Sequence, residues 1–218
     1  MTFSDDAWAA IAPIREAIDR LPLLVELEAG TLDRAVFDEY LAQDAHYLAS
    51  YGRALALAAS QSVDPDHLVF WAESARGAVI VERELHAAHV ADFGATSPSP
   101  TCTAYTSYLL TLGTRGCYPE LIAGILPCFW IYDDVGRRLK ESVTARGDLA
   151  DHPFGDWIGT YGDPEFAAST ARAREIVDEA AAGSSPDVVA RMHDAFATAA
   201  RYEWMFWDAP MRLETWPV

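Results

Sequence analysis

Phe37-Asp-Glu-Tyr40-Leu-Ala-Gln-Asp44-Ala-His-Tyr47-Leu-Ala-Ser-Tyr51 spaces its rings at helical intervals. Tyr40, Asp44, Tyr47 and Tyr51 fall at i−4, i, i+3 and i+7 and share one face, with Phe37, Leu41, Leu48 and Leu55 flanking it. The spacing predicts a long helix from about Asp33 to Ser60. It also sets one carboxylate among phenols near the core boundary, where an ionised group needs hydrogen-bond donors.

The same period recurs on both sides, and hairpin signals are nearly absent. Asp64-Pro65, Asp163-Pro164 and Ser185-Pro186 each put a capping side chain before a proline, and helical periodicity follows. Ser4 is placed to cap a first helix whose Trp8, Ile11, Ile14 and Ile18 share a face, and Pro22 opens a short second one ended by Gly30. Further helices are expected over Asp64 to about Asp92, Cys102–Leu112, Pro119–Ala145, Phe154–Tyr161, Pro164–Ala181 and Pro186–Trp207. The turn-rich Gly94–Pro100 reads as a connection inside one domain. The expected fold is therefore an all-α, single-domain bundle over residues 1–218, with its site between facing helices.

Of 218 residues, 16 are Lys or Arg and 33 Asp or Glu, for a net charge of −17, which works against a nucleic-acid partner. The longest nearly apolar stretch, Leu121 to Tyr132, is shorter than the ~20 residues that span a bilayer, so no membrane association is expected. No basic, then apolar, leader opens the chain. Three cysteines without CxxC spacing argue against a disulfide framework or a zinc site, and a reducing cytoplasm fits best. The single lysine, Lys140, lies in a charged run that reads as a solvated helix face.

Three constellations could carry chemistry. Asp44 among its tyrosines is the first, and such a carboxylate is also what an ordinary structural network contains. Second is Leu126-Pro-Cys128-Phe-Trp-Ile-Tyr132, where Cys128 and Tyr132 are one turn apart. Burial in so apolar a run would by itself quench the thiol, and a base or a bound substrate would have to reverse that. Third is Tyr202-Glu203-Trp-Met-Phe-Trp207, in which packing against rings would raise the Glu203 pKa toward a general acid/base, unless the side chain snorkels to the surface. Glu82 and His86, with His46, His89, Asp44 and Glu203, could supply a dimetal site, although a solvated Glu–His pair explains the i,i+4 spacing as well. His67, His152 and His193 have no evident partners.

Four segments together resemble the TenA, or thiaminase II, family of heme-oxygenase-like helical proteins: Phe37 to Tyr47, Leu126 to Gly136, Asp156 to Tyr161 and Tyr202 to Trp207. The resemblance is close to full length and places the chain in the cysteine-bearing branch. It implies hydrolysis at the exocyclic methylene of a 4-amino-5-(substituted methyl)-2-methylpyrimidine, releasing an amine or the thiazolium of thiamin and leaving hydroxymethylpyrimidine for thiamin salvage; of the two, 4-amino-5-aminomethyl-2-methylpyrimidine is the expected substrate, because a pocket enclosed by helices suits the smaller molecule. It implies no metal and no organic cofactor. Carried over by position, Cys128 is the nucleophile that adds to the ring, Glu203 the acid/base, and Asp44 the group that binds the 4-amino edge. Tyr47, Tyr105, Tyr132 and Tyr161 line the ring, with Tyr108 the alternative to Tyr105. A homotetramer with dihedral symmetry is also implied. A metal oxidase on the same fold and a non-catalytic pyrimidine-binding or regulatory protein are the competing readings.

Overall fold

The computed structural model describes residues 1–89, 96–147 and 149–217, and of residues 81–89 the backbone alone. Among the described residues there is no strand. The described residues form ten α-helices in order: α1 (Phe3–Ala10), α2 (Ala12–Ile18), α3 (Pro22–Ala29), α4 (Arg34–Gln61), α5 (Pro65–His89), α6 (Pro100–Thr114), α7 (Tyr118–Arg146), α8 (Gly155–Tyr161), α9 (Pro164–Ala182) and α10 (Pro186–Asp208). Short 3-10 turns cover Leu149–Asp151 and Ala209–Arg212. No helix among the described residues is long and apolar enough to cross a membrane.

Helix α7 is the axis of the bundle, because its turn from Leu121 to Pro127 is buried on every side, as an all-round apolar helix requires. Helix α10 packs along it, α4 and α5 form an antiparallel pair on another side, α6 closes the gap between α4 and α10, and α8 and α9 cover the far end of α7. The interior faces of α4, α6, α7 and α10 thus converge on one volume.

The expected boundaries hold to within two residues over most of the chain, and the differences lie in the caps. Asp64 and Asp163 accept backbone amides as foreseen, but the Ser185 side chain makes no capping bond. Thr2, not Ser4, caps α1 through a capping box with Asp5. Ser4 is buried, and its amide and hydroxyl both donate to Asp178 on α9, at 2.7 and 2.8 Å. The predicted first helix breaks in two at Ile11, because Pro13 lacks the amide that would carry it on. Gly94 and Ala95 of the expected connection lie outside the described residues. The rest of it is fastened from α4, since Gln43 donates to the Ser97 carbonyl and accepts the Ser99 amide.

The break at Ile11 leaves α1 pressed on α7 by a four-layer stack. Trp8 lies parallel to Trp130, with centroids 4.1 Å apart at 8°, and the Arg15 and Arg174 guanidinia cover the outer faces at 4.1 and 3.9 Å. Lys140 is not wholly solvated as its charged run suggested: its ammonium donates to the Gly162 carbonyl at 2.9 Å and ties α7 to the end of α8.

Gly136 permits the approach that matters most for the interior. A Cβ there would meet the backbone C and O of Tyr161 at 2.5 Å each, so only glycine lets the end of α8 lie on α7 and bring Tyr161 to 4.9 Å from the Tyr132 ring. Gly136→Ala should therefore push α8 away, costing about 1–3 kcal/mol and lowering Tm by roughly 5 °C. At Gly113 an added Cβ meets only the flexible Leu57 side chain, so Gly113→Ala should cost less. Melting the two variants side by side checks this, and an equal effect would mean that the Gly136 contact is not rigid.

Candidate active site

The residues of the expected site come from five helices, and the fold brings them together. Asp44 and Tyr47 descend from α4, Tyr105 from α6, Cys128 and Tyr132 from α7, Tyr161 from α8 and Glu203 from α10. They surround the inner end of a cavity of about 370 Å³ whose wall includes Asp44, Tyr47, Tyr51, Cys128, Tyr132 and Tyr161. Glu203 and Tyr105 form the layer behind that wall, each 1% exposed.

Asp44 is 2% exposed, so the structure keeps it in the interior and not at the boundary. Burial pushes its carboxyl up to about 7, against a hydrogen bond from Tyr161. Its Oδ2 is buried with no hydrogen-bond partner among the described residues. An acceptor left open on a cavity wall is a place for a ligand's N–H.

Glu203 does not snorkel. Tyr105 donates to its Oε1 at 2.5 Å, and burial pushes the carboxyl up to about 8, with that bond opposing and the Asp44 charge adding. Tyr105 is thereby distinguished from Tyr108, which is only half-buried and packs on Tyr202 at 5.5 Å. Glu203 can hold or release a proton near neutral pH beside the thiol.

Cys128 lies one residue past Pro127, at a turn where Tyr51 donates to the Ile125 carbonyl at 3.1 Å. Burial, then the Glu203 and Asp44 charges, holds its thiol well above the usual thiol range, while the Tyr47 and Tyr51 hydroxyls pull it back. Without a ligand it is a thiol. A cation bound at Asp44 would replace carboxylate repulsion by attraction and favour the thiolate. Tyr51 belongs to this set although sequence reasoning assigned it no role. Its place in the Tyr40–Asp44–Tyr47 register was the signal that could have found it.

Around these groups the packing is almost wholly aromatic. Tyr47 stacks on Tyr51 at 5.3 Å and leans on Tyr105 at 5.0 Å, Trp207 lies on Tyr132 at 4.7 Å, and the Tyr40 and Tyr132 hydroxyls bond at 3.2 Å. Cys102 is buried away from the cavity, its thiol pushed up to about 12 by burial and then by Asp44, and Cys117 stands at the start of α7.

Of the residues of the competing metal reading, the side chains of Asp44, His46 and Glu203 alone are described. His46 bonds the carbonyl and hydroxyl of Thr96 at 3.1 and 3.3 Å, and the side chains of Glu82, His86 and His89 lie outside the described residues. Among the described residues no three His, Cys, Asp or Glu side chains converge as metal ligands. The other histidines do have partners: His67 bonds Glu179 at 2.9 Å, His152 the Glu28 carbonyl at 3.2 Å, and His193 packs on Phe3.

Similarity to known proteins extends along nearly the whole chain. An aminopyrimidine aminohydrolase of Halalkalibacterium halodurans is 32% identical, over 99% of this chain and 98% of its own. The thiamine biosynthesis multifunctional protein ThiED of Corynebacterium efficiens is 34% identical over 94% of this chain, which spans only 28% of that longer protein. A solved TenA homologue from P. horikoshii superimposes with a TM-score of 0.84 at 27% identity, covering 97% of this chain and 99% of its own. A Shewanella denitrificans domain described as heme-oxygenase-like matches at 0.76 and 14% identity, which speaks for the fold alone. The profile described as the TENA/THI-4/PQQC family matches residues 8–213, and the chain belongs to that family.

Proposed function

We propose that the protein is an aminopyrimidine aminohydrolase of thiamin salvage, which cleaves 4-amino-5-aminomethyl-2-methylpyrimidine to hydroxymethylpyrimidine and ammonia. The observation that carries this reading is the open Asp44 Oδ2, buried on the same cavity wall as the Cys128 thiol. A carboxylate with a free acceptor matches the N–H groups of a protonated aminopyrimidine edge. The name of the Halalkalibacterium halodurans relative supports the same substrate class.

In the proposed reaction the ring binds flat among Tyr47, Tyr132 and Tyr161 with its amino edge on Asp44. The Cys128 proton passes to a carboxylate, and the thiolate adds to an electron-poor ring carbon. The electron pair of the dearomatised ring then expels the amine from the methylene, with Glu203 giving the amine a proton. Water adds to the resulting exocyclic methylene while Glu203 takes its proton. The C–S bond breaks last, restoring the ring. Tyr105 holds the Glu203 carboxyl in place throughout. These steps draw on this chain's residues, substrate and water.

We further propose that residues 1–218 act as one unit in the cytoplasm and assemble as a homotetramer. Val25, Leu68, Val69 and Met205 are between 37 and 51% exposed, which supports burial of these apolar side chains against further copies. Light scattering should return four chains per particle, and a monomer at micromolar concentration would contradict the assembly.

Replacing Cys128 by Ser should lower hydrolysis at least about 100-fold while ring binding persists, because a hydroxyl is far harder to ionise. Cys102→Ser and Cys117→Ser should stay near wild type. Glu203→Gln should also lose turnover, since an amide exchanges no proton near neutral pH. Steady-state release of ammonia reads all four variants. If Cys128→Ser kept most of the activity while Glu203→Gln abolished it, attack by water activated at Glu203 would replace the covalent route.

The two raised carboxyls also set how stability varies with pH. Their folded-state pKa values of about 7 and about 8 lie above unfolded values near 4, so the stability they contribute is complete below pH ~4 and is lost as pH rises through 7 and 8. Ligand-free protein should thus melt about 5 °C or more lower at pH 9 than at pH 6. Asp44→Asn with Glu203→Gln should flatten that decline. A decline of unchanged slope in the double variant would assign it to other groups.

A further inference from the structure

Helix α10, which carries Glu203, runs on through the 3-10 turn Ala209–Arg212, and the chain then reverses. The reversal is at Leu213, whose φ of 46° lies in the left-handed region, the one such residue other than glycine among the described residues. It sends Glu214 across to the start of α6. There the Glu214 carboxylate accepts the Thr101 amide at 2.9 Å and the Thr101 hydroxyl at 3.0 Å. Arg212 donates to the same carboxylate at 3.3 Å and also pairs with Asp208, the last residue of α10. Two residues on, the Trp216 indole donates to the Pro98 carbonyl at 3.0 Å. Against the burial that would raise it, the Thr101 amide and hydroxyl, then Ser99 and Arg212, hold the Glu214 carboxyl below the usual carboxylate range. At neutral pH it is therefore a carboxylate.

Thr101 is one helical turn before Tyr105 on α6, and both side chains are buried. Tyr202 stacks on the Tyr105 ring at 5.2 Å and 11°, which constrains its tilt and leaves in-plane sliding soft. How far the Tyr105 hydroxyl reaches toward Glu203 then depends on where the first turn of α6 is held. One carboxylate thus joins the ends of the two helices that supply the two halves of the 2.5 Å Tyr105–Glu203 bond. We propose that Glu214 is a positioning residue for Glu203, acting through Thr101 and α6 to set where the Tyr105 hydroxyl meets the Glu203 carboxyl. Its part in turnover rests on the aminopyrimidine reading, which makes Glu203 the acid/base, whereas the geometric part does not. The Tyr105 bond favours the charged carboxylate and opposes burial, so a Tyr105 that recedes leaves Glu203 harder to ionise. Loss of the Glu214 charge acting through space would instead make Glu203 easier to ionise, so the two routes differ in sign. Among the described residues the other titratable groups facing Glu203 are Asp44, Tyr40, Tyr47 and Tyr51 of α4, Cys128 and Tyr132 of α7 and Tyr161 of α8, and none of them is on α6.

Carbon-13 NMR of protein labelled at its glutamate carboxyls tests the geometry without substrate, the Glu203 signal being the one that Glu203→Gln removes. Its titration midpoint, about 8 in the wild type, should rise by at least about 0.5 in Glu214→Gln, whose amide nitrogen cannot accept from Thr101. Thr101→Val removes only the hydroxyl and should move the midpoint the same way by less, which keeps the test decisive if Glu214→Gln does not fold. In a Tyr105→Phe background Glu214→Gln should add nothing, because its route to Glu203 is already cut. For 4-amino-5-aminomethyl-2-methylpyrimidine, kcat should fall at least about fivefold in Glu214→Gln while KM stays within about twofold. A midpoint that stays or falls in Glu214→Gln, a further rise in the Tyr105→Phe background, or an unchanged kcat would overturn the positioning role. Wild-type protein that does not hydrolyse the amine would overturn the aminopyrimidine reading, and the titration would still decide whether Glu214 places Tyr105.

Discussion

Two carboxyl groups buried in an aromatic interior, with no Lys, Arg or His among the described residues that line the cavity beside them, are the constraint on which the remaining structure depends. An ionised carboxylate in such surroundings is expensive unless donors surround it. The chain answers with phenols: Tyr105 donates to Glu203, Tyr161 bonds Asp44, and Tyr47 and Tyr51 flank the thiol between them. Phenols can line a cavity and bond to a carboxylate without bringing a charge of their own. That choice leaves the described lining without a positive charge, and it leaves the Asp44 Oδ2 without a hydrogen-bond partner among the described residues.

The price in architecture is that no element holds the site alone. Asp44, Tyr105, Cys128, Tyr161 and Glu203 come from α4, α6, α7, α8 and α10, so this arrangement exists only when all five helices are docked. Gly136 fixes one of those dockings, and the Gln43 bonds to the Ser97 and Ser99 backbone fix where α6 begins. Burial of α7 on all sides from Leu121 to Pro127 makes it the common reference for the other four.

Helix positions were legible because apolar period and proline position are local properties, and the α4 stripe of Tyr40, Asp44, Tyr47 and Tyr51 survives unchanged. What escaped were choices made between segments far apart in sequence. Ser4 suits a cap by its neighbours, yet its partner is Asp178, 174 residues away. Lys140 belongs to a charged run, yet the end of α8 gives it a carbonyl to bind. The residues of the site were named from a family resemblance, whereas their local surroundings left Cys128 open as an inert core residue and Glu203 as a surface one. Only the helix packing shows that the two share a buried volume with Asp44.

The stack that presses α1 on α7 has an optical consequence. Indoles held 4.1 Å apart and nearly parallel couple their excited states, and the guanidinia on both outer faces keep collisional quenchers from the rings. Trp130 is two residues from Cys128 on the same helix. The near-ultraviolet dichroism of this one pair therefore reports whether the amino-terminal segment is seated against the cysteine-bearing helix, so detachment of that segment registers as a spectral change while the far-ultraviolet helical signal barely moves.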